Sequence, residues 1–169
     1  TILGNYGPYA TAQGACSGYI INTDGFQIML DCGHGVFSKL QKYADYASLG
    51  ILVITHLHPD HYGDIYCLRQ ALKYQMREGK RKEPLYVYLP EGPHPLLDEV
   101  KNWDDVFTVI SLEDAMKTVN DFNLFQLRFF RVQHQLPAYG VQFQRNGQPV
   151  LTYTGDTGWF PELAGLCAG

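Results

Sequence analysis

Apolar residues recur along this chain in two rhythms, and the rhythms mark out the elements. Period-two or continuous β-rich runs predict strands, and spacings of three and four predict helices. Thr1–Gly4 opens in what reads as a strand. Cys16–Asn22 and Phe26–Leu30 follow, joined by Thr23-Asp24-Gly25, whose Asp-Gly pair favours a tight hairpin. Val36–Tyr43 reads as a helix entered through the glycines of Asp31-Cys32-Gly33-His34-Gly35. Ile51–Ile54 is too short for a helix and rich in β-branched residues, so it predicts a buried strand.

From His61 to Arg77, Ile65, Leu68, Leu72 and Met76 line one face of a helix. Leu85–Leu89 predicts a strand, 90–95 a Pro/Gly loop holding His94, Leu96–Asn102 a short helix and Phe107–Ser111 another strand. The second half turns β-rich. Asn123–Gln133 reads as one long strand, and Ala138–Arg145 and Pro149–Thr154 as two more joined by Asn146-Gly147. Pro161–Ala168 reads as the start of a helix.

With 169 residues, 46% of them hydrophobic, the chain can bury a proper core and reads as one domain over residues 1–169. Its net charge of -4 argues against a broad nucleic-acid or membrane surface. Arg77, Lys80, Arg81 and Lys82 are interrupted by Glu78 and Glu83, which makes them a solvated loop rather than a binding patch. Cys16, Cys32, Cys67 and Cys167 form no Cys-x-x-Cys pair and read as reduced, mostly buried thiols. With no visible signal peptide or membrane-length apolar run, the expectation is a cytoplasmic protein.

The densest chemistry follows Ile51–Ile54. Gly50 to Asp64 reads G-I-L-V-I-T-H-L-H-P-D-H-Y-G-D, and it holds His56, His58 and His61, half of the six histidines, together with Asp60. If the chain stays extended past Thr55, His56 and His58 share a face and can grip one ion. Pro59 ends that extension, so Asp60 and His61 point elsewhere and can serve a second. Four ligands from one loop therefore suggest two metals.

His56-x-His58-x-Asp60-His61 resembles the central motif of the metallo-β-lactamase superfamily. The resemblance implies an α/β (α+β) fold, a four-layer αββα sandwich with a dinuclear site at one edge of its two sheets. Flavodiiron relatives carry Glu where this chain has His58, which favours a hydrolytic over a redox reading. Asp31, in Met29-Leu30-Asp31-Cys32-Gly33-His34-Gly35, resembles the aspartate of the first motif, which holds the histidine loop from behind. His34 stands where tRNA-processing relatives often carry Glu and is expected at the surface. His134, in V-Q-H-Q-L-P-A-Y-G with Tyr139-Gly140 downstream, resembles the third motif of the ribonuclease Z branch, and Asp156 in Y-T-G-D-T resembles the bridging aspartate.

By resemblance, His56, His58 and His134 hold one divalent ion, Asp60 and His61 the other, and Asp156 is shared. Zinc is the first choice, with manganese or iron as alternatives. Family members complete the second ion with a later histidine, so the second αβ half reads as incomplete. Asp60 and Asp31 are the candidates for catalytic machinery, Asp60 by orienting or deprotonating a water activated between the ions. The expected activity is that of a ribonuclease Z-like phosphodiesterase on a small phosphodiester or an RNA end. No long basic arm is present for gripping tRNA, and a homodimer is compatible with the sequence. The rival readings are an acyl hydrolase of lactams, lactones or thioesters on the same ions, and a non-catalytic scaffold member.

Overall fold

The computed structural model describes residues 1–168. Strands β1 (Ile2–Gly4), β2 (Gly18–Thr23), β3 (Phe26–Leu30), β4 (Leu49–Val53), β5 (Leu85–Leu89) and β6 (Phe107–Ser111) form a six-stranded sheet in sequence order. The first three pair antiparallel, and β3 to β6 run parallel. β7 (Asn120–Asp121), β8 (Gln126–Arg131), β9 (Tyr139–Arg145) and β10 (Gln148–Tyr153) form an antiparallel second sheet in the order β10-β9-β8-β7. The helices are α1 (Val36–Tyr43), α2 (Pro59–Tyr62), α3 (Ile65–Arg77), α4 (Pro95–Val100), α5 (Leu112–Ala115) and α6 (Leu163–Cys167).

Strand alternation divides the apolar residues between layers. Met29 and Leu52 face a core shared with Val36 and Leu40 of α1, Ile65, Leu68 and Leu72 of α3, and Leu96 and Val100 of α4. Their neighbours Ile28, Leu30, Ile51 and Val53 face the other way, against Leu127, Phe129, Val141 and Phe143 of the second sheet. Beyond that sheet, Leu163 and Leu166 of α6 pack on Phe130, Val132 and Ala138. The layers therefore run helix, sheet, sheet, helix, as the resemblance implies. The central strands are buried on both faces, which is why β4 reads as a continuous apolar run instead of an alternating one.

Several boundaries differ from the sequence reading. The helix expected over 61–77 is broken after α2 and restarts at Ile65, because Asp64 is committed elsewhere. Its N–H donates to the Cys32 carbonyl at 2.9 Å, and its Oδ2 accepts from the Phe37 N–H at 2.9 Å. The strand expected over 123–133 shrinks to β8. Asn123 takes a left-handed φ of 65°, and its N–H donates to Asp121 Oδ1, which makes a turn where the periodicity suggested extension. β2 begins at Gly18 rather than Cys16. His94 lies in the loop, as expected, and from there caps α4, its Nδ1 accepting from Leu96 N–H at 3.2 Å. All four thiols are free, with Cys16 and Cys32 buried and Cys67 and Cys167 exposed, so burial holds for only half of them. Among the described residues no helix is long and apolar enough to cross a membrane.

Candidate metal centre

The site lies where loops leave the carboxyl ends of strands from both sheets. Past β4 the chain stays extended through Thr55, so His56 and His58 project together. His56 Nε2 lies 3.1 Å from His58 Nδ1. Pro59 is the first residue of α2, and His58, at φ -81° and ψ 142°, is its extended N-cap. Asp60 and His61 therefore sit in the first turn of α2 and aim to the other side. His134 arrives from the loop after β8 and Asp156 from the loop after β10, so the second sheet contributes a residue at each of two strand ends.

These six residues converge. His134 Nε2 is 3.0 Å from His58 Nδ1, so two imidazole nitrogens face one nitrogen of a third ring. A single proton on His58 Nδ1 can serve only one of them. His56, His58 and His134 thus present nitrogens toward one point that hydrogen bonding alone leaves under-satisfied, a donor set suited to zinc or a neighbouring transition metal. A second group forms from His56, His61 and Asp156. His61 Nε2 is 3.5 Å from Asp156 Oδ1 and 3.6 Å from Asp60 Oδ2. Asp60 lies beside this second group, its carboxylate next to His61.

Asp31 stands behind the cluster, fully buried, and gathers donors. Its Oδ1 accepts from the Thr55 N–H at 2.8 Å and the Thr55 hydroxyl at 3.0 Å. Its Oδ2 accepts from His61 Nδ1 at 2.7 Å and the Tyr153 hydroxyl at 2.6 Å. Each bond fixes a tautomer. His61 carries its proton on Nδ1, which leaves Nε2 bare toward Asp60 and Asp156. The Thr55 hydroxyl gives its proton to Asp31 and lies 3.1 Å from His56 Nδ1, so it accepts from that nitrogen and leaves His56 Nε2 bare as well.

Electrostatics separate the two rings. Burial, then the neighbouring imidazoles of His61, His134 and His58, push His56 down to about 3, so it is neutral and ligand-ready at physiological pH. Burial also acts to lower His61, but the Asp31 hydrogen bond and the charges of Asp31, Asp156 and Asp60 outweigh it and raise the ring above its usual value. Burial and the adjacent Asp31 hold the Tyr153 phenol well above the ordinary range, so it stays a donor.

A cleft of about 600 Å³ opens over His58, Asp60, His134 and Asp156, with Gly7, Pro8, Pro59 and Gln135 completing its wall. Asp31 does not reach it, so of the two catalytic candidates only Asp60 faces the cleft. His34 is exposed and stays outside the cluster, its ring over Gly63, as expected of a surface residue. Sequence reasoning missed Gly7, Pro8, Ser17, Thr55 and Tyr153. Only Thr55, directly before His56, carried a signal that could have found it.

Comparison with known proteins follows the same lines. The family described as "Anti-Pycsar protein Apyc1" matches residues 6–167. The chain is 26% identical over 159 residues to the "Probable metallo-hydrolase YhfI" of Bacillus subtilis, covering 94% of this chain and 64% of that protein. It is 27% identical over 154 residues to a ribonuclease Z of Halorubrum lacusprofundi, covering 88% and 48%. The chain thus spans between about half and two thirds of the length of these curated relatives. In fold it is similar to the crystal structure of the metallo-β-lactamase fold protein YhfI, with TM-score 0.88 at 23% identity over 98% of this chain and 66% of that one. It is also similar to the short form of human tRNase Z, with TM-score 0.74 at 23% identity over 96% and 71%. With 162 of its 169 residues inside the family match, from 6 to 167, and a metallo-β-lactamase sandwich as its fold, the chain belongs to the Anti-Pycsar protein Apyc1 family.

Proposed function

We propose that the chain forms the active part of a metal-dependent hydrolase that cleaves a small phosphodiester or an RNA-end phosphodiester. The observation that carries this reading is the meeting of His56, His58 and His134 nitrogens at one point, with His61 and Asp156 forming a second group beside it. In this reading His56, His58 and His134 hold one divalent ion, Asp60 and His61 the other, and Asp156 serves both. Zinc suits the imidazole-rich set best, with manganese or iron as alternatives. When bound, a pair of such ions supplies an activated water near neutral pH and stabilises negative charge on the attacking and leaving oxygens.

The side chains do the rest. Asp31 and Thr55 hold the His61 and His56 rings in the tautomers that leave Nε2 free, which spares the site the reorganisation of turning them. Asp60, at the cleft and beside His61, has an oxygen placed to take a proton from an attacking water. Asp31 acts through His61 rather than on substrate. The cleft volume falls within the range usual for small-molecule sites, which supports a compact substrate. The probable metallo-hydrolase among the relatives supports hydrolysis, and the ribonuclease Z supports hydrolysis at phosphorus.

A three-substrate panel tests the proposal: bis-p-nitrophenyl phosphate, the p-nitrophenyl ester of thymidine monophosphate, and nitrocefin. Cleavage of the diesters, abolished by a chelator and restored by a divalent ion, is the expected result. Turnover of nitrocefin with both diesters inert overturns it in favour of acyl hydrolysis. Asp60→Ala should abolish diester turnover with the fold intact by circular dichroism, and an unchanged rate would remove Asp60 from the mechanism.

A further inference from the structure

Behind the candidate ligands a side-chain hydrogen bond crosses from sheet to sheet. Tyr153 is the last residue of β10, three residues before Asp156, whereas Asp31 follows β3 in the other sheet. The phenol donates to Asp31 Oδ2 at 2.6 Å, the same oxygen that accepts from His61 Nδ1 at 2.7 Å. Ser17 Oγ lies 2.8 Å from the Tyr153 oxygen. Because the single phenolic proton is committed to Asp31, the serine is the donor in that pair. The donors therefore converge on Asp31, Ser17 through Tyr153 from one side and His61 Nδ1 from the other, and the His61 ring faces Asp156, the residue carried by the same strand end as Tyr153.

We propose that Tyr153 is a positioning residue for the second ion: its hydroxyl locks Asp31 Oδ2 between the sheets and so fixes where His61 Nε2 and Asp156 meet. The inference rests on the two-ion reading above. The first group depends on this bond far less. His58 and His134 make no hydrogen bond to Asp31, and His56 reaches it only through the Thr55 hydroxyl, which lies 3.1 Å from Oδ2 but also 3.0 Å from Oδ1 and so keeps a carboxylate partner when the phenol is lost. Loss of the phenol should therefore be felt unequally. The ring itself is held by other means, with its centroid 5.0 Å from that of Tyr19 and the side chain packed against the core between the sheets. Tyr153→Phe thus removes the hydroxyl and leaves the packing.

Equilibrium dialysis of the wild-type protein, Tyr153→Phe and Ser17→Ala against zinc separates a positioning role from a merely structural one. The Phe variant should keep one ion at wild-type affinity and bind the second at least tenfold more weakly, with Ser17→Ala shifted the same way by less. A Phe variant that binds both ions like the wild type, or loses both in parallel, overturns the inference. A wild-type protein that takes up fewer than two ions overturns the two-ion reading itself, and the role of Tyr153 falls with it. If the Phe variant fails to fold, Ser17→Ala decides, and an unchanged second affinity there overturns the inference.

Discussion

Thr55 shows how much of this site depends on a single atom. Its hydroxyl touches both oxygens of Asp31, at 3.0 and 3.1 Å, and lies 3.1 Å from His56 Nδ1, all in a fully buried setting. Thr55→Val keeps the shape but strands a carboxylate and an imidazole N–H without that partner. The cost of an unmet buried polar group is about 1–3 kcal/mol. Urea unfolding should show a loss of that order, and a midpoint equal to the wild type's would mean the hydroxyl is dispensable. At this scale the loop ligands were legible in the sequence, because His56, His58, Asp60 and His61 fall within six residues and their chemistry needs no tertiary information. Ser17 and Tyr153 were not. Ser17 becomes a neighbour of Asp31 when β2 pairs with β3, and Tyr153 only when the two sheets meet, at separations of 14 and 122 residues that no local pattern records.

Elements hold the ligands through close approaches that the sequence marks only as glycine. A Cβ at Gly33 would lie 1.8 Å from the Asp60 carbonyl oxygen and 2.7 Å from Cys16 Cβ, so the turn after β3 and the α2 loop can meet only if residue 33 has no side chain. Gly33→Ala should cost about 3 kcal/mol through overpacking and displace Asp60. Gly79→Ala, at a φ of 68° with open space around it, should cost about 1 kcal/mol from backbone strain alone. Thermal unfolding of the pair checks the order, and the reverse order would refute the close-approach argument.

On the outer side, the hydrogen bond and charge of Lys73 in α3 hold Asp105 below the usual carboxylate range, with Arg69 adding to it. A folded-state value below the unfolded one means the contribution is present at neutral pH and is lost as pH falls through the folded value. The pair is solvent-exposed, so its share of stability is under about 1 kcal/mol. Lys73→Met should raise the Asp105 titration point in an NMR pH series, and an unmoved titration would contradict the pairing. The element map shows where local reading fails. The three-and-four rhythm of α3 was visible from Ile65 on, but the break before it depends on Asp64 bonding to Cys32 and Phe37, residues about thirty positions away.

For the whole molecule, the apposition of the two sheets is what gathers the site. His56 to His61 come from the first sheet, and His134 and Asp156 from the ends of β8 and β10 in the second. The apolar layer between the sheets, with Phe129 centred 5.0 Å from Tyr88, is therefore part of the metal centre's support. Phe129→Ala should cost about 3–5 kcal/mol. The sandwich was legible through the resemblance that His56-x-His58-x-Asp60-His61 carries, and the alternation of helices and strands followed by a meander fitted it. The two separate cores on either face of β3 and β4 were not, because strands buried on both sides lose the period that would reveal which residue faces which layer.

The measurement that bears most directly on this account is anomalous X-ray diffraction at the zinc edge from crystals grown with zinc. Two peaks are expected, one among His56 Nε2, His58 Nδ1 and His134 Nε2, the other between His61 Nε2 and the carboxylates of Asp60 and Asp156. Zinc bound elsewhere on the molecule, with no density at the meeting point of the three imidazoles, would contradict the assignment.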